Sequence, residues 1–225
     1  MDDLIETYYE ASTTQRQNTY ERGEIYWAPS LYLERDLRLV RPVGPDPWAG
    51  DIDGWEIRKT NETDGDPPPF DHPPLISPRL QSHEEYLAIK AKKRPVILFS
   101  SGAEVWPYRS GRPREPVYVM LPMFSFYEDD PIEFRLGIQA LDYRELFYLG
   151  ADDSLDMVEG FVRFDRMHVV PRGWLKRRLV RLTDDAMLLL DEWFKFYITG
   201  IAPDWLLQYR EERGRATDEL LAGAG

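Results

Sequence analysis

Nine of the chain's eighteen prolines fall between residues 33 and 92, from Pro42 to Pro78. Proline has no backbone N–H to donate and its ring collides with a preceding helical turn. A run this dense excludes both a long helix and a regular sheet. Trp48, Trp55, Ile57, Phe70 and Leu75 lie inside the same segment and are expected to pin it to a core. The chain therefore reads as a folded body carrying one irregular insertion, 33–92.

The flanking sequence is strand-rich. Gly23 is a turn residue, and Ile25-Tyr26-Trp27 is strong strand material. Arg94-Pro95-Val96-Ile97-Leu98-Phe99-Ser100 reads as a buried strand entered from a rigid turn, with a cation at its mouth. Glu115 to Phe126 is almost continuously apolar and forms the next core strand, which Pro122 should end or force into a bulge. Gly160 to Val170 is read as one further strand. Glu133–Ile138 and Leu146–Leu149 are weaker strand candidates.

Helical signals sit elsewhere. Residues 3–21 suggest a short helix followed by a lead-in. His83 to Lys93 is expected to be helical, with Ser82 as N-cap and Glu85 completing a capping box. Ser101 to Arg114, rich in Gly, Pro and Ser, is read as a loop. Thr183 caps a helix whose first residues, Asp184 and Asp185, suit its positive end, and Gly200 stops it. One or two more helical turns follow Pro203.

Five or so strands with C-terminal helices give a mainly β, α+β class, as a small β-barrel or a strongly twisted sheet. The expected organisation is a helical extension (1–21), a barrel with the insertion (22–200) and a helical tail (201–225).

Charge and composition narrow the function. The chain has 225 residues, no cysteine and a net charge of −12. Disulfides, zinc–thiolate sites and cysteine nucleophiles are excluded. The acidic start, Met1-Asp2-Asp3, is no secretory signal, and no run approaches the ~18 consecutive apolar residues of a membrane span. A soluble, cytoplasmic protein with no membrane partner is expected. Between Phe161 and Leu182, seven basic residues and one acid give 7 − 1 = +6, which leaves −18 elsewhere. That asymmetry suits either a local anion-binding face or internal salt bridging. The basic run from Arg172 to Arg181 is accordingly a phosphate-attracting patch or a solvated connection paired with acids.

Three segments, taken in order, resemble the MazF/PemK family of type II toxin–antitoxin toxins. Arg22-Gly23-Glu24-Ile25-Tyr26-Trp27 is similar to the family's opening strand. Lys93-Arg94-Pro95-Val96-Ile97-Leu98-Phe99-Ser100 is similar to its Arg-Pro-Val strand. Val162-Arg163-Phe164-Asp165-Arg166-Met167-His168-Val169-Val170, running on to Thr183-Asp184-Asp185-Ala186-Met187, is similar to its later strand, basic connection and helix. Val117 to Pro122 resembles the strand between the second and third segments. The resemblance implies an SH3-like barrel of the MazF/PemK/CcdB type, commonly a homodimer. It also implies an endoribonuclease that cuts single-stranded RNA without metal or other cofactor and is inhibited by an antitoxin protein.

Carried over by motif, Arg94 is the family's catalytic arginine, a planar fork suited to phosphate oxygens. Where the family places a Ser or Thr, this chain has Met123 or Phe124. A thioether or phenyl ring cannot donate a hydrogen bond, so Ser125 is the nearest substitute. His168 falls where the family often has a basic residue and is a candidate for proton transfer; a structural role is the alternative. Lys92, Lys93, Arg163, Arg166 and Arg172 are the candidate RNA-binding cations. Asp165-Arg166 also suits a strand-end ion pair or a dimer contact. His72 and His83 have no metal-site spacing. The competing function is a catalytically silent SH3-like barrel that binds a peptide or protein partner.

Overall fold

The computed structural model describes residues 5, 7–12, 20–32, 38–59, 81, 84–100 and 117–223. The elements are β1 (Tyr9–Ala11), β2 (Glu24–Tyr32), β3 (Arg38–Val43), β4 (Gly54–Lys59), β5 (Leu87–Ala88), β6 (Lys90–Leu98) and β7 (Val117–Ser125). They continue with α1 (Ile132–Gln139), β8 (Leu146–Leu149), β9 (Gly160–Arg163), β10 (His168–Pro171), β11 (Lys176–Leu182), α2 (Asp184–Thr199) and α3 (Asp204–Gly223). The protein is mainly β with C-terminal helices. It divides into two compact units, one of residues 1–30 with 93–225 and one of residues 31–92.

The larger unit is built on a curled antiparallel sheet in the order β1-β11-β2-β6-β7-β9-β8, with β10 also paired to β7. Successive residues of its central strands point to opposite faces, and both faces are buried. Ile25, Ile97 and Leu121 join one cluster, to which α2 brings Leu190 and Trp193 and α3 brings Leu206. Tyr26, Val96, Leu98 and Met120 join a second. Burial on both faces explains why these strands read as unbroken apolar runs.

The C-terminal helix signals correspond to what is seen. The Ala186 N–H donates to Thr183 Oγ1 at 3.3 Å, and Gly200 ends α2 at φ 73°, a conformation that only glycine enters freely. Ala186, Met187, Leu190 and Trp193 form its buried stripe, at the 3–4-residue spacing of one helix face. The tail is longer than the one or two turns expected, since α3 runs for 20 residues.

Several expectations are corrected. Tyr9–Ala11, read as helical, is a strand paired with β11. The segment read as a helix at 83–93 contains β5 and the start of β6. Pro95 bars a helix from continuing, and pairing beside β2 overrides the helical preference of its Lys and Ala. Ser82, His83 and the loop read at 101–114 lie outside the described residues. Glu133–Ile138 is helical, as part of α1. Phe134 and Ile138, one turn apart, both belong to an aromatic cluster around Phe161, and that packing selects the helical period.

Gly160–Val170 is two strands rather than one. β7 pairs Met120 with His168 and Met123 with Val162. A three-residue step along β7 thus matches a six-residue step on the other side, and the excess is taken up by a 3₁₀ turn at Phe164–Arg166. Pro122 does not end β7; the break in its neighbour falls beside it.

The smaller unit contains a sheet in the order β4-β3-β5, which corrects the reading of 33–92 as sheetless. Pro42 sits inside β3, opposite Trp55 of β4. β5 pairs only with Arg38 and Leu39, so Pro42 lies beyond the stretch of β3 that β5 covers. That is where a strand tolerates proline. Trp55 and Ile57, expected as core anchors, are 40% and 56% exposed; Phe70 and Leu75 are outside the described residues. The buried centre here is instead an ion pair. Arg41 lies 3.0 Å from Glu85 Oε1, with side-chain exposures of 0% and 2%, and its guanidinium lies over Trp48.

Candidate functional site

β6, β7, β9 and β11 bring Arg94, Phe124, Ser125, Phe161 and Arg178 to one pocket of about 280 Å³, which Tyr9 and Trp27 also line. Gly160 forms part of the wall, and a Cβ there would stand 2.2 Å from the Phe124 carbonyl oxygen. The close pairing of Gly160 with Ser125 therefore requires glycine.

Arg94 is only 9% exposed. Its guanidinium lies 4.4 Å from the centre of the Phe124 ring, a cation–π contact that orients it. A ligand would reach it through the pocket. Arg163 also approaches Phe124, at 5.7 Å, while donating from Nε and a terminal nitrogen to the two oxygens of Asp165 at 3.0 and 2.6 Å. These bonds raise the already high Arg163 pKa. Arg166 reaches the same carboxylate at 3.6 Å, so Asp165-Arg166 forms an ion pair within the 3₁₀ turn.

Arg178 donates to the Asp156 backbone oxygen at 2.7 Å and to its carboxylate at 3.1 Å. It lies 5.2 Å from the Trp27 ring centre, and Lys93 Nζ lies 5.5 Å from the same ring. Four cations thus stand in or beside the pocket, against the carboxylates of Asp156 and Asp165. In a chain of net charge −12 this is a local reversal of sign. Arginines set beside aromatic rings suit a phosphate joined to a flat base.

The other candidates are placed elsewhere. His168 does not line the pocket. Its Nδ1 is 3.0 Å from the Arg166 carbonyl oxygen and its Nε2 is 2.9 Å from that of Pro29, so both ring nitrogens face backbone acceptors. Arg172 donates to the Tyr20 hydroxyl at 3.3 Å and covers that ring. Lys92 is exposed and belongs to the smaller unit. Ser125 is exposed at the end of β7 and does line the pocket. Among the described residues, no group of three or more His, Asp or Glu side chains is arranged to hold a metal ion, and no helix is long and apolar enough to cross a membrane.

Sequence reasoning missed Tyr9, Trp27, Asp156 and Arg178. Arg178 was visible only as one member of a basic run. Its neighbour Arg177 takes a different course, into a closed cluster. Glu24 is fully buried and accepts from Ser12 Oγ at 2.8 Å, the Glu21 N–H at 3.2 Å, the Tyr26 hydroxyl and Arg177 at 3.1 Å. Burial pushes its carboxyl up, but these donors outweigh burial and hold it below the ordinary carboxylate value. Burial and the bond to Glu24 push the Tyr26 phenol well up.

No protein-family model matches the chain, and no curated protein or solved structure shows significant similarity to it.

Proposed function

We propose that the chain is a MazF/PemK-like toxin that binds single-stranded RNA at the Arg94 pocket and cleaves it without metal. One observation carries this reading: Arg94 and Arg178 share a pocket whose remaining wall is largely aromatic and apolar. The two guanidiniums would neutralise the non-bridging oxygens of the scissile phosphate, where negative charge builds in the transition state. The ribose 2′-oxygen attacks phosphorus, the bond from phosphorus to the 5′-oxygen breaks, and the products are a 2′,3′-cyclic phosphate and a 5′-hydroxyl. One proton leaves the 2′-hydroxyl and one reaches the 5′-oxygen. Ser125 and Asp156, which line the same pocket, are the groups assigned to those transfers. The same reading carries an SH3-like barrel, a homodimer, an antitoxin protein as partner and a cytoplasmic setting.

A second reading is a catalytically silent binding module on the same scaffold. It is favoured by His168, whose two ring nitrogens are engaged by carbonyls and which stands outside the pocket.

The test is incubation of the purified protein with single-stranded RNAs of varied sequence in a chelator, followed by analysis of the ends. Cyclic-phosphate ends are expected, and Arg94→Ala should lower the rate by roughly 100-fold or more, the scale of losing one oxyanion-stabilising donor. Binding without cleavage would favour the silent module.

A further inference from the structure

Tyr9 carries a polar atom that the fold does not use. The residue is 3% exposed, and its hydroxyl has no hydrogen-bond partner among the described residues. Other phenols in the core are satisfied: the buried Tyr26 donates to Glu24, and the half-buried Tyr148 donates to Glu159 Oε1 at 2.7 Å. An unpaired buried hydroxyl carries a desolvation penalty, and folds ordinarily remove it. Phenylalanine would fill the same core space. The position of Tyr9 suggests what the hydroxyl is for. β1 pairs Tyr9 with Leu182 of β11, the strand that carries Arg178, and Tyr9 lines the same pocket as Arg94 and Arg178. Burial pushes the phenol up, against the pull of Arg178, so it remains a protonated donor.

We propose that Tyr9 is a ligand-binding residue whose O–H donates to a non-bridging oxygen of a phosphate drawn into the pocket by Arg94 and Arg178. This rests on the pocket's being a phosphate site, as above, and does not require cleavage.

The probe is a fluorescent single-stranded RNA fully 2′-O-methylated, which removes the attacking hydroxyl. Wild type, Tyr9→Phe and Arg94→Ala are titrated with it, and each is melted without RNA. Tyr9→Phe should weaken binding by roughly tenfold or more, the range for a hydrogen bond to a charged acceptor. Its melting temperature without RNA should stay level or rise, because only an unpaired buried group is lost. Unchanged affinity in Tyr9→Phe, with Arg94→Ala weakened, overturns the role of Tyr9 alone. A lowered melting temperature with unchanged affinity overturns it equally and assigns the hydroxyl to the fold. A wild type that binds no RNA, and is not stabilised by inorganic phosphate, overturns both the pocket reading and this one. Binding that depends on Tyr9 without any cleavage of unmodified RNA upholds this proposal and removes only the nuclease.

Discussion

Arg177 and Arg178 are adjacent in sequence and have opposite fates. Arg177 enters a closed cluster, where its charge meets the fully buried Glu24 and the Tyr26 hydroxyl. Arg178 enters the Arg94 pocket, where its partner Asp156 has a side chain 98% exposed. Both touch aromatic rings and both have a carboxylate. The difference is what remains for a ligand. In the first cluster, a carboxylate taken out of water needs its donors, so they are committed to the fold. In the second, the carboxylate keeps its hydration and holds the guanidinium weakly. Proximity of arginine, aromatic ring and acid is therefore not a functional signature until the burial of the acid is known.

The sharpest way to break that contrast is to remove the buried acid. Glu24→Ala leaves Arg177, Tyr26 and Ser12 without their acceptor and should cost about 3 kcal/mol, the low end for breaking a buried pair, because Arg177 keeps 18% exposure. Denaturant unfolding would measure it, and RNA affinity of the folded fraction should not change. The pH dependence has a definite sign. The folded-state pKa of Glu24 lies below the ordinary 4.5, so its contribution is present above that value. It is lost as pH falls through the folded value. The variant should show a flatter acid limb than wild type. An unchanged acid limb would mean that the cluster does not hold the charge as described.

Exchanging the neighbours one at a time is the next test. Arg177→Gln should cost about 2 kcal/mol of stability by leaving Glu24 short of its cation, with affinity for single-stranded RNA intact. Arg178→Gln should do the reverse. Its ion pair with an exposed carboxylate is worth under about 1 kcal/mol, while RNA affinity should fall roughly tenfold on losing a charged phosphate contact. Melting curves and salt-controlled titrations read both. Identical behaviour of the two variants would remove the distinction.

How much of this was legible in the sequence depends on the range of the interactions. The central strands, the capped helix α2 and the place of Arg94 were readable, because apolar runs, Thr183 and Gly200 act locally. α1 was misread because Phe134 and Ile138 satisfy either period until Phe161, distant in sequence, supplies the surface. β5 and the start of β6 look helical residue by residue and become strands through partners far along the chain. The pocket was legible only at Arg94 and along Met123 to Ser125. Tyr9 was read as helical. Arg178 could not be told from Arg177, because in an unbroken strand the alternation is fixed, and here it is broken.

That break is at Leu179, and it supports the smallest effect. β11 pairs Arg177 with Tyr26 and Arg181 with Glu24. A four-residue step on β11 thus matches a two-residue step on β2, a bulge. Leu179 lies in it at φ 62°, in the left-handed region that costs an L-residue about 1 kcal/mol, and its carbonyl accepts the Ser12 N–H at 3.0 Å. The leucine side chain is 60% exposed, so little burial offsets that cost. Leu179→Gly should relieve the strain, against glycine's greater freedom in the unfolded chain. The net is a gain of no more than about 1 kcal/mol, with the same RNA affinity, since the backbone that separates Arg177 from Arg178 is unchanged. Leu179→Val, whose branched Cβ tolerates positive φ poorly, should destabilise by about the same amount and disturb both neighbours together. If valine is tolerated as well as glycine, the bulge does not set the directions of the two arginines, and the contrast between closed cluster and open pocket must have another origin.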